Sequence, residues 1–82
     1  MADGKPPYKQ SEAVDISSTD FTASYDNVRG IWVGGAGTLI VRLANDNADS
    51  TFTGVPAGTL LELNVRKVIK TSTTATAMRL LY

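Results

Sequence analysis

Short apolar stretches alternate with turn residues along the chain from residue 13 onward. In these stretches β-branched side chains are dense and hydrophobic residues recur at every second position, as in strands with one buried face. No stretch keeps a period of about 3.6 residues long enough for a helix of ordinary length. The pattern predicts an all-β fold, a small antiparallel β-sandwich or barrel. The predicted strands are residues 13–16, 29–33, 38–43, 51–53, 60–69 and 77–82.

Two large side chains fall on the outward faces of these strands. Trp32 points away from Ile31 and Val33, since neighbouring residues of a strand face opposite sides. In the next strand, Ile40 points away from its inward-facing neighbours Leu39 and Val41. An outward Trp on so thin a domain favours a second buried surface, and hence an oligomer. Trp32 and Ile40 are therefore candidate contacts with another subunit or with a partner protein.

Glycines connect these two strands. Gly34, Gly35 and Gly37 stand between residues 29–33 and residues 38–43, and glycine supplies the positive φ angles of tight turns. A glycine-rich loop can also cradle a phosphate, but that site needs a Lys-Ser/Thr pair and a following helix. Neither follows here, so the spacing predicts a β-hairpin.

The longest predicted strand, residues 60–69, changes the side on which its apolar residues fall. Its early apolar residues alternate with polar ones, and Val68 breaks that parity. One extra residue moves all the following side chains to the opposite face, so we expect a bulge or bend near Arg66 and Lys67. The final strand ends at Tyr82, which is a further candidate contact with another subunit or with a partner protein.

Residues 1–12 have a different character from the rest of the chain. They contain the adjacent prolines Pro6 and Pro7, two lysines and one aromatic residue, Tyr8, without apolar alternation. Such a segment has little to bury by itself. We expect an extended arm that docks on a neighbouring subunit with Tyr8 as its anchor, followed by one β domain formed by residues 13–82. An untethered tail is the alternative.

Composition narrows the range of functions. The chain has 82 residues, with Lys+Arg 8, Asp+Glu 8, and no His or Cys. The balanced charge gives no field that would draw the protein to nucleic acid or anionic lipid. The missing His and Cys remove thiolate nucleophiles, the usual zinc ligands and the side chain that titrates nearest neutral pH. We therefore expect no enzyme activity, no catalytic residue, no cofactor and no metal site.

Neither a membrane nor a nucleic acid is an expected partner. No apolar run reaches the roughly 18 to 20 residues that span a bilayer, and the first residues lack the apolar stretch of a signal peptide. The one basic cluster consists of Arg66, Lys67 and Lys70. Because the domain is not basic overall, we interpret this cluster as a solvated face or as a source of ion pairs between subunits.

Polar residues offer two further kinds of site. Residues 45–49 carry Asp46, Asp49 and two Asn carbonyls, oxygen ligands of the kind that calcium takes. They lack the Glu and Gly placement of an EF-hand loop, so an exposed turn is favoured. A hydrolase would need a pair of carboxylates, and nothing in the sequence brings two of them together. The candidates for such a pair are Asp15, Asp20 and Glu62.

Several short segments keep a recognisable order and spacing. They are Ser-Thr-Asp-Phe at 18–21, Arg-Gly-Ile-Trp-Val-Gly-Gly at 29–35, Gly-Val-Pro-Ala-Gly-Thr-Leu at 54–60, Val-Arg-Lys-Val at 65–68, and Thr-Thr-Ala-Thr at 73–76 running to Leu-Leu-Tyr at 80–82. Together they resemble the small head-spike base proteins of tailed bacteriophages and the related gene transfer agents, over residues 13–82. The chain departs from that pattern at Ser72, where glycine is usual, in the longer polar loop at 45–49, and in the proline-containing arm.

The resemblance implies a compact β domain of the virion. Such a protein would assemble as a homo-oligomeric ring, bind the major capsid protein or other virion proteins, and carry a fibre or other appendage. The resemblance implies no catalytic residue. A capsid cement or decoration protein and a tail or baseplate component are alternatives in the same setting. An alternative of another class is a glycan-binding module that uses Trp32, Tyr25 or Tyr82 with the Thr-rich loop at 71–76.

Overall fold

The computed structural model describes residues 8–82, which form two four-stranded antiparallel sheets packed face to face, with no helix among these residues. The order of strands is β1-β8-β3-β6 in the first sheet and β2-β7-β4-β5 in the second sheet. The all-β prediction is confirmed, and the architecture is a sandwich. In chain order the strands are β1 Ser11–Ala13, β2 Phe21–Thr22, β3 Gly30–Gly35, β4 Gly37–Leu43, β5 Ser50–Val55, β6 Thr59–Leu61, β7 Val65–Val68 and β8 Thr76–Leu81.

The chain changes sheets at every connection except the one between β4 and β5. The predicted hairpin between residues 29–33 and 38–43 is therefore wrong. Strand β3 already has β6 on one edge and β8 on the other, so β4 cannot pair with it and begins the second sheet instead. The hairpin of this region lies one connection later, where residues 44–49 join β4 to β5.

Gly37 marks the corner between the two sheets. A methyl group built on its Cα would lie 2.6 Å from the Ala75 nitrogen and 2.7 Å from the Thr74 carbonyl carbon. Those distances are well inside van der Waals contact with backbone atoms, which have little freedom to move. Glycine is thus required at this position by the close approach of the 74–75 backbone, rather than by a hairpin turn.

The core lies between the sheets and follows the predicted alternation. Leu39 and Val41 are fully buried, while Trp32 and Ile40 face outward from their respective sheets. Both sheets contribute to the core, and the side chains that are fully buried share a branched aliphatic shape that packs well on a pleated surface. They are Ile31, Val33, Leu39, Val41, Val65, Val68 and Leu80.

Residues 60–69 form two strands rather than one. β6 belongs to the first sheet and β7 to the second, so the chain crosses between the sheets at residues 62–64. The predicted bulge is confirmed. Arg42 pairs with Lys67 whereas the next residue, Leu43, pairs with Val65, which leaves Arg66 as the extra residue. Val65 and Val68 can both face the core only because of that extra residue.

The first strand begins earlier than predicted. β1 pairs with β8, and the pairing continues toward the N-terminus through hydrogen bonds from the Lys9 nitrogen to the Tyr82 oxygen and from the Tyr82 nitrogen to the Gln10 oxygen, both 2.9 Å. The predicted boundary at residue 12 therefore falls inside a strand of the β domain. Residues 1–7 of the predicted arm lie outside the described residues.

Candidate interaction surface

The outer face of the first sheet carries a row of side chains in register. Trp32 of β3 lies between Arg79 of β8 and Leu60 of β6, with which it forms cross-strand pairs. Ala13 of β1 continues the row beyond Arg79. Side chains directly opposite each other on neighbouring strands are close enough to pack together. The register therefore sets Trp32 and Leu60 side by side on the surface.

Glycines determine how the Trp32 indole lies on this face. A methyl group built on Gly34 would lie 3.6 Å from the indole Nε1, and one built on Gly58 would lie 4.0 Å from the Cη2 at the far end of the ring. The indole thus extends from one glycine toward the other. Because neither glycine has a side chain, the ring can lie close to the backbone while its upper face stays exposed.

Trp32 and Leu60 are large apolar side chains that both stay exposed on this face. Trp32 is 40% exposed and Leu60 is 37% exposed. The neighbouring cation is drawn away from them, since Arg79 Nε donates a hydrogen bond of 3.2 Å to Ser11 Oγ on the opposite side of β8. Trp32 and Leu60 form what we call the outer patch, an apolar surface on the outer face of the first sheet.

Tyr8 borders the outer patch. A methyl group built on Gly30 would lie 3.1 Å from the Leu60 Cδ1 and 3.7 Å from the Tyr8 hydroxyl oxygen. Tyr8, a predicted docking anchor, therefore reaches the surface of its own chain beside Leu60. Its contact with a neighbouring subunit stays a prediction.

The outer face of the second sheet is polar by contrast. Thr22, Lys67 and Arg42 form its cross-strand row, and Arg42 donates hydrogen bonds of 3.0 and 2.7 Å from Nε and Nη2 to one oxygen of Asp49. Ile40 lies on this face and is half-buried. The two faces thus differ in character, and only the first presents two large exposed apolar side chains in contact distance.

The predicted contact residues do not form one surface. Tyr8 and Trp32 lie on the face of the first sheet, and Ile40 lies on the opposite face of the sandwich. Tyr82 is only 5% exposed and packs edge-on against Tyr25, with ring centroids 5.2 Å apart. Its side chain therefore offers little area to a partner and serves the core of its own chain.

Leu60 is the surface residue that sequence reasoning missed. It was assigned to the strand at 60–69 without a role on its outer side. In the sequence, Leu60 falls on the same side of the predicted strand as the polar residues Glu62 and Asn64, and this alternation indicates that Leu60 faces outward. The pairing of Leu60 with Trp32 is not available from the sequence, because it depends on which strands become neighbours.

Glu12 accepts hydrogen bonds that join the edge of the first sheet to the segment after β2. The Tyr82 hydroxyl donates to Oε1 at 2.6 Å, the Ser24 nitrogen donates to the same oxygen at 3.3 Å, and the Ser24 hydroxyl donates to Oε2. Burial raises the pKa of Glu12, but the hydrogen bonds from Ser24 and Tyr82 together outweigh it and lower the pKa below its ordinary value. The pKa of Tyr82 is raised to about 12. Burial of the hydroxyl is the largest cause, and the hydrogen bond to Glu12 and the negative charge of Glu12 add to it.

An open cleft of about 550 Å³ lies at one end of the sandwich. Tyr25, which is 51% exposed, lines it together with Asn64 and Arg66. Two of its polar groups already have partners within the chain: Asn64 Nδ2 donates to the Asp26 oxygen at 3.3 Å, and Arg66 Nη2 donates to the Asp46 oxygen at 2.8 Å. The cleft combines an exposed aromatic ring with amide and guanidinium groups.

Four of the carboxylates that were weighed as metal ligands or catalytic groups accept hydrogen bonds within the chain. Asp46 accepts a bond of 3.1 Å from Ser50 Oγ, and Asp49 accepts from Arg42. Asp15 accepts from Ser17, and Asp20 accepts from the Lys70 nitrogen at 2.7 Å. No group of three or more carboxylates that could hold a metal ion occurs within residues 8–82.

Threonine side chains of the Thr-rich loop form hydrogen bonds within the chain. The Thr73 hydroxyl oxygen accepts a hydrogen bond of 3.1 Å from the Ile40 nitrogen, and the Thr74 hydroxyl oxygen accepts one of 2.9 Å from the Thr38 nitrogen. These hydroxyls hold the loop along the first residues of β4, beyond the part of that strand that pairs with β7. They are therefore not simply displayed for a ligand.

Comparisons with protein-family models, with curated proteins and with solved structures find no significant match for this chain. Within the part of the chain that the structure describes, no helix is long and apolar enough to cross a membrane.

Proposed function

We propose that the protein is a structural subunit of a virion: a head-spike base protein that assembles as a homo-oligomer on a phage capsid and carries a fibre or other appendage. The observation that carries this proposal is the outer patch, where Trp32 and Leu60 are both substantially exposed and lie side by side. Exposed aromatic and aliphatic side chains clustered on one face are typical of protein–protein contacts.

Two of the segments that resemble head-spike base proteins build this patch. Residues 29–35 supply Trp32 and Gly34, and residues 54–60 supply Leu60. They are far apart in sequence and adjacent in the first sheet, where β3 pairs with β6. The features that suggested the family thus converge on the surface that a subunit contact would use, which supports the proposal.

The size of the domain supports assembly for a separate reason. A chain of 82 residues removes only about two-thirds of its unfolded surface from water, so its own core is thin. Covering the outer patch with a neighbour adds buried apolar area at about 25 cal/mol per Å² before the costs of association are subtracted. The formal net charge of +0 adds no overall repulsion between copies.

The proposal is tested by binding to capsids. Purified protein is mixed with particles assembled from the major capsid protein of the same virus, and the particles are pelleted and imaged by cryo-electron microscopy. We expect ordered density on the head for the unchanged chain and for Thr22→Glu on the polar face, but none for Leu60→Glu. Absence of any bound density for the unchanged chain would refute the proposal.

Images of the complete virion, which includes the tail and any appendage, distinguish the related assignments. Density spread over the capsid lattice would identify a cement or decoration protein instead, and density confined to the tail would identify a tail or baseplate component. Density at isolated positions on the head that continues into a thin projection is the expected result for a spike base.

The cleft beside Tyr25 favours one candidate of another class, a glycan-binding module. An exposed aromatic ring flanked by Asn64 and Arg66 is a suitable platform for a sugar ring. A glycan array decides: a binding module should give signals that Tyr25→Ala removes, while assembly is retained. Signals that are lost only when Leu60→Glu disrupts assembly would argue against a site in the cleft.

A further inference from the structure

The open edge of β5 is the second feature of the sandwich that has no partner among residues 8–82. Four strands lie at sheet edges in the described part of the chain. Three of them are short, with three residues in β1, two in β2 and three in β6, whereas β5 has six. Short edge strands are one way in which proteins prevent pairing between molecules. β5 lacks that protection.

The sequence of β5 provides little other protection. Residues Ser50–Val55 contain no charged residue and no proline, which are the usual means of blocking a sheet edge. β5 has a bulge at its end, where the register against β4 shifts between Gly37 and Leu39 and Gly54 has a φ of 71°. Residues 50–52 precede this bulge in regular register with β4 and offer an edge with outward-pointing backbone groups, and Thr53 is the next residue along the strand.

We propose that β5 pairs with β5 of a second copy of this chain, antiparallel about a two-fold axis beside Phe52. In this register Thr51 lies opposite the second copy's Thr53, and the two Phe52 residues lie opposite each other. The pairing extends the second sheet from four strands in one subunit to eight strands across two, and it is independent of the outer patch.

Side-chain chemistry favours a second copy as the occupant. Thr51 and Thr53 are exposed on the polar face, and Thr–Thr pairs across neighbouring strands are favourable. Phe52 is only half-buried at the edge of the core, so the second copy's Phe52 would cover the rest of it. Because Ser50–Val55 carries no charge, the same strand meets itself without repulsion between like charges.

Site-specific cross-linking tests this register directly. The chain has no cysteine, so Thr51→Cys and Thr53→Cys each introduce one thiol. Directly opposite residues have Cα atoms about 4.5 to 5.5 Å apart, within disulfide range. We expect a mixture of the two variants to form a mixed disulfide under mild oxidation, and neither variant alone to cross-link to a similar extent. Failure of the mixture to cross-link overturns the proposed pairing.

A charge-swap experiment tests the pairing without a covalent bond. Thr51→Lys/Thr53→Lys and Thr51→Glu/Thr53→Glu each place like charges opposite each other, so each variant alone should lose the β5 contact, seen as a lower mass by light scattering. An equimolar mixture should regain it as a hetero-association. Ala48→Lys/Thr71→Lys, at exposed loop positions, is the matched control and should keep the original mass. Unchanged self-association of both charged variants, or no recovery on mixing, contradicts the proposal.

Discussion

The Tyr82 hydroxyl donates a hydrogen bond of 2.6 Å to Glu12 Oε1. These residues are 70 positions apart in sequence and bring the last described residue of the chain to its first strand. The same carboxylate accepts hydrogen bonds from both the nitrogen and the hydroxyl of Ser24. One side chain thus fastens the edge strand β1, whose three residues pair with only one neighbour.

Tyr82→Phe should destabilise the fold by about 1 kcal/mol, because it removes a hydrogen bond and leaves the ring in place. The folded-state pKa of Tyr82 is raised from 10.0 to about 12, so its contribution is complete below pH 10 and is lost as pH rises toward 12. In urea unfolding, the free energies of unfolding of the two proteins should therefore differ at neutral pH and become equal near pH 12. Tyr25→Phe, at an exposed tyrosine, is the control and should change little; equal stability of Tyr82→Phe and the unchanged chain would contradict the account.

Glu12→Gln should remove a contribution to the stability of the fold that depends on pH. The folded-state pKa of Glu12 lies below its ordinary value of 4.5, so the stabilisation is present above pH 4.5 and is lost as pH falls through the lower, folded-state pKa. We expect the variant to melt at a lower temperature than the unchanged chain at neutral pH, with the difference shrinking in acid. Asp26→Asn removes the same charge at an exposed site and serves as control. A difference in melting temperature that does not change with pH would refute the role of the carboxylate.

Gly37→Ala should cost about 1–3 kcal/mol, the range for inserting a methyl group where there is no space. The added Cβ would meet the backbone at Thr74 and Ala75, so relief requires the loop to move away from β4. Chemical denaturation measures the loss, and Ala36→Ser at the exposed neighbouring position is the control. Full stability of Gly37→Ala would mean that the two chain segments approach less closely than the structure has them.

Trp32 is the single tryptophan of the chain, so its fluorescence reports on the outer patch alone. If neighbours cover the patch, the indole is shielded from water in the assembly and becomes exposed on dissociation. We expect a red shift of the emission and stronger quenching by iodide as the protein is diluted, without loss of the far-ultraviolet circular dichroism of the sheets. An emission spectrum independent of concentration across the dissociation of the oligomer would place the contact elsewhere.

Local patterns predicted the faces of the strands well, while the pairing of strands depended on distant parts of the chain. Alternation was enough to place Leu39 and Val41 inside and Trp32 outside, and the break in parity at Val68 was enough to locate the bulge at Arg66. These features depend only on the two-residue period of a strand.

The predicted hairpin at Gly34–Gly37 is wrong because strand pairing, unlike the facing of side chains, depends on distant parts of the chain. Both edges of β3 are taken by β6 and β8, strands that lie far along the chain, and no local signal reports that competition. The outer patch could not be predicted for the same reason. Trp32 could be recognised as outward-facing, but its pairing with Leu60 follows only from the register of β3 and β6. Tyr82 is a predicted contact that the structure finds buried, and its burial depends on Glu12 and Tyr25.

Light scattering on the unchanged chain, Leu60→Glu and Thr22→Glu measures whether the outer patch joins the subunits. Leu60→Glu places a charge within the outer patch, and Thr22→Glu places the same charge on the polar face beside Lys67. We expect an oligomeric mass for the unchanged chain and for Thr22→Glu, and a smaller mass for Leu60→Glu at the same concentration and with an intact fold. A Leu60→Glu protein with the mass of the unchanged chain, or an unchanged chain that is monomeric at the highest soluble concentration, would contradict this expectation.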